Sequence, residues 1–145
     1  MLITSLTETP ISNIKNHIET ASSLVDKNSK SGIKVGKKLI KSTRKDIKFL
    51  KEVFDFDDFQ FQSLSDKLSN QILQCGIVAY NSTNDDQDYY SSYKYALSIA
   101  VGEKVKNRAT DCINHCEGEK ISNICSSCNV KPVNRKRSFC IEIFK

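Results

Sequence analysis

Cys125 and Cys128 stand in the segment Ile124-Cys125-Ser126-Ser127-Cys128-Asn129 and form a C-x-x-C knuckle. Two thiolates at this spacing supply half of a structural zinc site, which takes four ligands. Cys112 and Cys116 lie upstream, and positions i and i+4 of a helix put both thiols on one face. The spacing C-x3-C-x8-C-x2-C can therefore close a zinc site on Cys112, Cys116, Cys125 and Cys128, with Cys140 as a further candidate. A competing reading holds for the helical pair, because Cys112 and Cys116 also continue an apolar stripe begun by Val105 and Ala109 and suit a core. No such stripe surrounds Cys125 and Cys128, where two thiols in a polar turn are hard to explain by packing. His115 points about 100° away from Cys116 on a helix and reads as a surface histidine. His17 flanks the first apolar stripe and reads as structural, and Cys75 beside Gly76 suits a close helix contact. A redox role for the knuckle is weaker, because it does not open a helix after a strand.

The second constellation is electrostatic. Residues 27–51 hold nine Lys and one Arg against the single acid Asp46, a net +9, whereas the whole chain is +5, so the remainder sums to −4. Lys34, Lys37, Lys38, Lys41, Arg44, Lys45, Lys48 and Lys51 could track the phosphates of a nucleic acid or another polyanion, with an affinity that falls steeply with salt. Arg135, Lys136 and Arg137 form a smaller cluster in the tail. The competing reading is a solvated lysine face. Lys outnumbers Arg and only Phe49 interleaves, so base stacking is not indicated.

These residues need elements to hold them, and the pattern is helical. Thr9 and Pro10 read as the cap and first position of a helix whose stripe is Ile11, Ile14, Ile18, Ala21 and Val25. Turn chemistry at residues 28–32 ends it. A second helix is expected at about 33–53, burying Leu39, Ile40, Ile47, Leu50 and Phe54 opposite the lysines. Asp57 or Asp58 is placed to cap a third helix with the stripe Leu64, Leu68, Ile72, Cys75 and Ala79. Residues 81–88 read as a loop. A fourth helix, about 89–101, turns Tyr93, Ala96, Leu97 and Ala100 inward, and Gly102 stops or kinks it before a fifth at about 103–116. Residues 138–144 alternate as a strand, with Phe139, Ile141 and Ile143 on one face. The expectation is a mainly α protein of four to five helices packed as antiparallel hairpins, with a small cysteine-bearing β tail. The division is 1–118 for the helical domain and 119–145 for a short zinc-ribbon-like half-module.

Composition bounds the function. At 39% hydrophobic and 27% charged, the 145 residues fit one soluble globular domain rather than a disordered chain. No apolar run approaches the roughly 18 residues of a membrane span, and residues 1–6 lack the basic start and apolar stretch of a secretory signal. The expected location is the cytoplasm, where six cysteines are free or metal-bound rather than paired. The sequence carries no P-loop, G-x-G-x-x-G, G-x-S-x-G or H-E-x-x-H motif. Asp55, Asp57 and Asp58 read as helix caps rather than a catalytic cluster. The expectation is therefore no enzyme, but a helical interaction or scaffold module with a protein partner and no membrane. It carries zinc as its one candidate cofactor, and nucleic-acid binding through the basic helix is the alternative.

The helix pair around Tyr80 and Tyr95 resembles a tetratricopeptide unit in length and in its small packing residues. No second copy follows at that period, so a plain helical hairpin is the expectation. A broader resemblance begins at residue 63. The stretches are 64–75 with Leu64, Leu68, Ile72 and Cys75, 95–102 with Tyr95, Ala96, Ala100 and Gly102, and Cys125-Ser126-Ser127-Cys128 leading into 139–145. In that order they resemble the C-terminal region of uncharacterised, mostly bacterial multidomain proteins, some of which carry J domains or helical repeats. The resemblance implies a zinc-ribbon-type module in which a C-x-x-C is followed by a strand and a second cysteine pair. That second pair has no counterpart before Lys145, so only Cys125 and Cys128 carry over as metal ligands. The resemblance implies no reaction.

Overall fold

Apolar residues at helical spacing fix the architecture. The computed structural model describes residues 2–55, 58–83 and 89–124. Over these it contains α1 (Leu2–Lys27), a 3-10 turn (Ser29–Ser31), α2 (Gly32–Val53), α3 (Phe59–Thr83), α4 (Tyr90–Ile99) and α5 (Glu103–Ile124), with no strand among the described residues. The mainly α expectation therefore stands, with five helices. Cys125, Cys128, Cys140, the basic cluster 135–137 and the expected β tail lie outside the described residues.

Each helix packs on the next, and α3 also meets α1 and α5, so it is the central element. The sequence of α3 explains this position. Leu68, Ile72, Leu73, Cys75 and Ile77 are buried almost completely, on more than one face of the helix. Two buried serines on α3 face α4. Ser69 Oγ donates to the Ala96 carbonyl at 2.7 Å, and Ser65 Oγ donates to the Ile99 carbonyl. The last carbonyls of a helix lack intrahelical partners, and the Ser65 hydroxyl serves the final one of α4. Asp66 serves the opposite need. Its carboxylate accepts from the Val101 N–H at 2.7 Å and the Gly102 N–H at 3.1 Å, where the chain turns into α5. Arg108 of α5 reaches back to α3, donating to Asn70 Oδ1 at 2.9 Å and Gln74 Oε1 at 3.1 Å.

The α1–α2 hairpin closes through Asn28, whose side chain accepts from the Lys30 N–H at 3.2 Å and caps the 3-10 turn. Close packing then sets α2 on α3. A Cβ at Gly32 would run into the Cys75 carbonyl oxygen and come within 2.8 Å of Ala79 Cβ, so only hydrogen fits. The same closeness recurs between α3 and α4, where a Cβ at Gly76 would lie 2.7 Å from the Tyr93 ring.

Three boundaries differ from the expectation. α1 does not start at Pro10; it starts at Leu2 and carries Pro10 inside. Thr7, one turn before Ile11, is buried to 3% exposure and extends the stripe upstream, which favours continuing the helix. The bond that Pro10 cannot make would go to the carbonyl of Leu6, a residue 60% exposed, where water can replace it. α3 continues through Asn81 to Thr83 rather than ending in a loop, and Ser82 Oγ donates to the Val78 carbonyl at 2.9 Å. α5 runs past Cys116 and through Gly118 to Ile124. One glycine costs a helix only about 1 kcal/mol and does not force a stop. Asp58 caps α3 as one of the two expected residues, its Oδ1 accepting from the Phe61 N–H at 2.9 Å.

Candidate functional site

Helix α2 separates its residues by chemistry. Leu39, Thr43, Ile47 and Leu50 are buried against the bundle. Thr43 hides its hydroxyl by donating to the Leu39 carbonyl at 2.7 Å. Lys34, Lys37, Lys38, Lys41, Arg44, Lys45, Lys48 and Lys51 are all exposed. At 100° per residue, Lys34, Lys38, Lys41, Lys45 and Lys48 form one stripe opposite the buried face. Lys37 lies beside that stripe, and Arg44 and Lys51 lie further round toward one flank. The helix also holds Asp46, half-buried at its side, and the exposed Glu52 at its end. The structure thus brings together every cation that the sequence singles out on this helix. Phe49, 37% exposed, is the one aromatic at the surface of α2.

On the Arg44 flank the charge meets a groove. It has a cavity volume of about 450 Å³ between α2, the start of α3, and the end of α4 with the link to α5. Ile47, Phe61, Ile99 and Val101 line it with apolar surface, and Arg44, Lys48 and Lys51 line the α2 side. The Arg44 guanidinium carbon sits 5.1 Å from the centroid of the Tyr95 ring, a cation–π contact. Burial pushes the Tyr95 phenol above its ordinary value, while a hydrogen bond and the charge of Arg44 pull it back. Tyr95 therefore stays neutral at physiological pH and acts as a seat for the guanidinium. The Ser98 hydroxyl at the groove edge donates to the Tyr95 carbonyl at 2.6 Å.

The cysteines separate differently. Cys112 is only 2% exposed and belongs to the core with Ala109 and Ile113. Cys116 is partly buried and packs against that core. This placement agrees with the packing alternative for both. Their relation to Cys125 and Cys128 lies outside the described residues. Among the described residues, no group of three or more His, Cys, Asp or Glu side chains could hold a metal ion. Cys75 is fully buried on α3, and desolvation raises its thiol pKa, with the Gln71 amide 3.7 Å away opposing the shift. His115 is not a surface residue. It is half-buried and packs edge-on to Tyr80, with ring centroids 5.7 Å apart. His17 is exposed on α1.

Sequence reasoning missed the partners of Arg44. Tyr95 lies 51 positions away by sequence number, and no periodicity within α2 or α4 announces that the two helices meet there. The available signal was modest: Tyr95, Ile99 and Val101 exceed what the inward stripe of α4 needs. No helix among the described residues is long and apolar enough to cross a membrane. No family model, curated protein or solved structure matches the chain.

Proposed function

We propose that this chain is a non-enzymatic helical interaction module that engages a polyanion through the exposed cationic face of α2. The observation that carries this reading is the solvent exposure of all eight cations from Lys34 through Lys51 on a helix whose opposite face is buried. Lysines that were needed for internal ion pairs would turn inward or toward carboxylates of neighbouring helices. The stretch from Lys34 to Lys51 covers about 26 Å at 1.5 Å per residue, enough to follow several successive phosphates of a nucleic acid. Lysine is a compact point charge without the planar fork of arginine, and Phe49 is the only exposed aromatic on the helix, so the expected binding is independent of base sequence.

The test is a titration with double-stranded DNA at 50 and 200 mM salt. With about five phosphates neutralised, the affinity is expected to fall on the order of several-hundred-fold between the two conditions. The combined variant K38Q, K41Q and K45Q should weaken binding and reduce the salt slope by about 2.7, close to 0.9 per lost contact. Binding that is absent at low salt, or insensitive to salt, rejects the reading.

A further inference from the structure

The geometry points to a second ligand site beside the polyanion face: the groove between α2 and α4 takes a single-chain aliphatic carboxylate, its head on Arg44 and Lys48 and its chain over Ile47, Phe61, Ile99 and Val101. The groove is a hollow of about 450 Å³, within the usual range for small-molecule sites. Its lining separates into two chemistries. Arg44, Lys48 and Lys51 stand on the α2 side, and the side chains from α3, α4 and the link to α5 are apolar apart from two serines and Tyr95. Among the described residues no carboxylate lines it, and the three cations on the α2 side offer positive charge to whatever enters. Ser65 turns its hydroxyl away to the Ile99 carbonyl, which leaves the floor beside Phe61 apolar.

Charge complementarity selects the head of the ligand and the apolar floor selects its body. Arg44 is held in place by its cation–π contact with Tyr95, 5.1 Å from guanidinium carbon to ring centroid. A guanidinium ordered in advance loses little freedom when it accepts a ligand, and its planar fork matches the two oxygens of a carboxylate. A nucleic acid would satisfy the cations but would leave Ile47, Phe61, Ile99 and Val101 uncovered. A neutral hydrocarbon would cover these and leave the cations unused. The site shares Arg44, Lys48 and Lys51 with the polyanion face, whereas Lys34, Lys37, Lys38, Lys41 and Lys45 do not line the groove.

The experiment is calorimetric titration of the full chain with decanoate, octanoate, acetate, decyl phosphate and decyltrimethylammonium, each below its micelle concentration. Methyl chemical shifts of Ile47, Ile99 and Val101 report the location. Decanoate should bind one to one and move those methyls. Each added methylene should tighten binding roughly fourfold, and acetate should not bind measurably. Arg44→Gln with Lys48→Gln should weaken decanoate at least about tenfold, whereas Lys34→Gln with Lys38→Gln and Lys41→Gln should leave it unchanged while weakening DNA. Equal affinity for decyltrimethylammonium overturns the charge selection, and tighter binding of decyl phosphate than of decanoate overturns the choice of carboxylate. Decanoate that binds without moving the three methyls, or that does not notice the loss of Arg44 and Lys48, overturns the site.

Discussion

Gly32 sets the distance between α2 and α3. Gly32→Ala would push a methyl into the Cys75 carbonyl and against Ala79, both on the central helix, and backbone there cannot yield. The expected cost is about 1–3 kcal/mol by urea unfolding, the range of overpacked cores. Gly36→Ala is the internal comparison. Its new Cβ would meet only Cys75 Cβ at 3.3 Å, and the gain in helix propensity of about 1 kcal/mol offsets that contact, so stability should hardly change. Equal losses for the two variants would contradict the packing described. Cys112 offers a second residue-scale test. As a core residue at 2% exposure, Cys112→Ala should lower stability by about 1 kcal/mol and leave the zinc content of protein purified without chelator unchanged. If zinc content drops in that variant, Cys112 is a ligand and its thiol leaves the core in the metal-bound protein. These two residues mark what was legible at this scale. The stripe through Val105, Ala109 and Cys112 announced burial, because helical periodicity is local. The closeness at Gly32 was not legible, because it depends on which helix lies opposite.

Elements were read well in their middles and less well at their ends. The stripes of α2 and α3 and the cap at Asp58 follow from residues within a few positions of each other, so sequence alone finds them. α1 and α5 are longer than expected: buried Thr7 extends the stripe of α1 upstream of Pro10, and the single Gly118 costs α5 too little to stop it. In α1 this yields a sharp prediction. If the helix begins at Leu2, Pro10 is an interior residue that removes a backbone hydrogen bond, and Pro10→Ala should stabilise the protein by up to about 3 kcal/mol. If the helix began at Pro10 itself, the ring would sit at a favourable first position and the same change would be neutral or slightly unfavourable. The direction of the shift in unfolding midpoint therefore decides where α1 starts. The groove lay beyond this scale of reading. Its cations were visible along α2, but Tyr95, Phe61 and Val101 reach it only through the packing of three helices.

Across the whole molecule, charge and burial predict how stability responds to alkali. Desolvation raises the pKa values of Cys75 and Tyr95. For both, the folded state favours the neutral form. Below the unfolded-state value, about 8.5 for a cysteine, both states hold the proton and stability does not depend on this group. Above it the unfolded chain releases the proton while the folded chain keeps it, so stability falls as pH rises toward the raised value. The slope for Cys75 is at most about 1.4 kcal/mol per pH unit. Tyr95 acts only from about pH 10 and more weakly, since solvent screens a half-exposed phenol. Urea unfolding should therefore give a stability that declines from about pH 8.5 upward. In Cys75→Ala the starting stability is lower because a small cavity remains, but the decline between pH 8.5 and 10 should flatten. An identical slope in the two proteins would mean that Cys75 exchanges its proton as freely in the folded chain as in the unfolded one, which a thiol sealed between α2 and α3 cannot do.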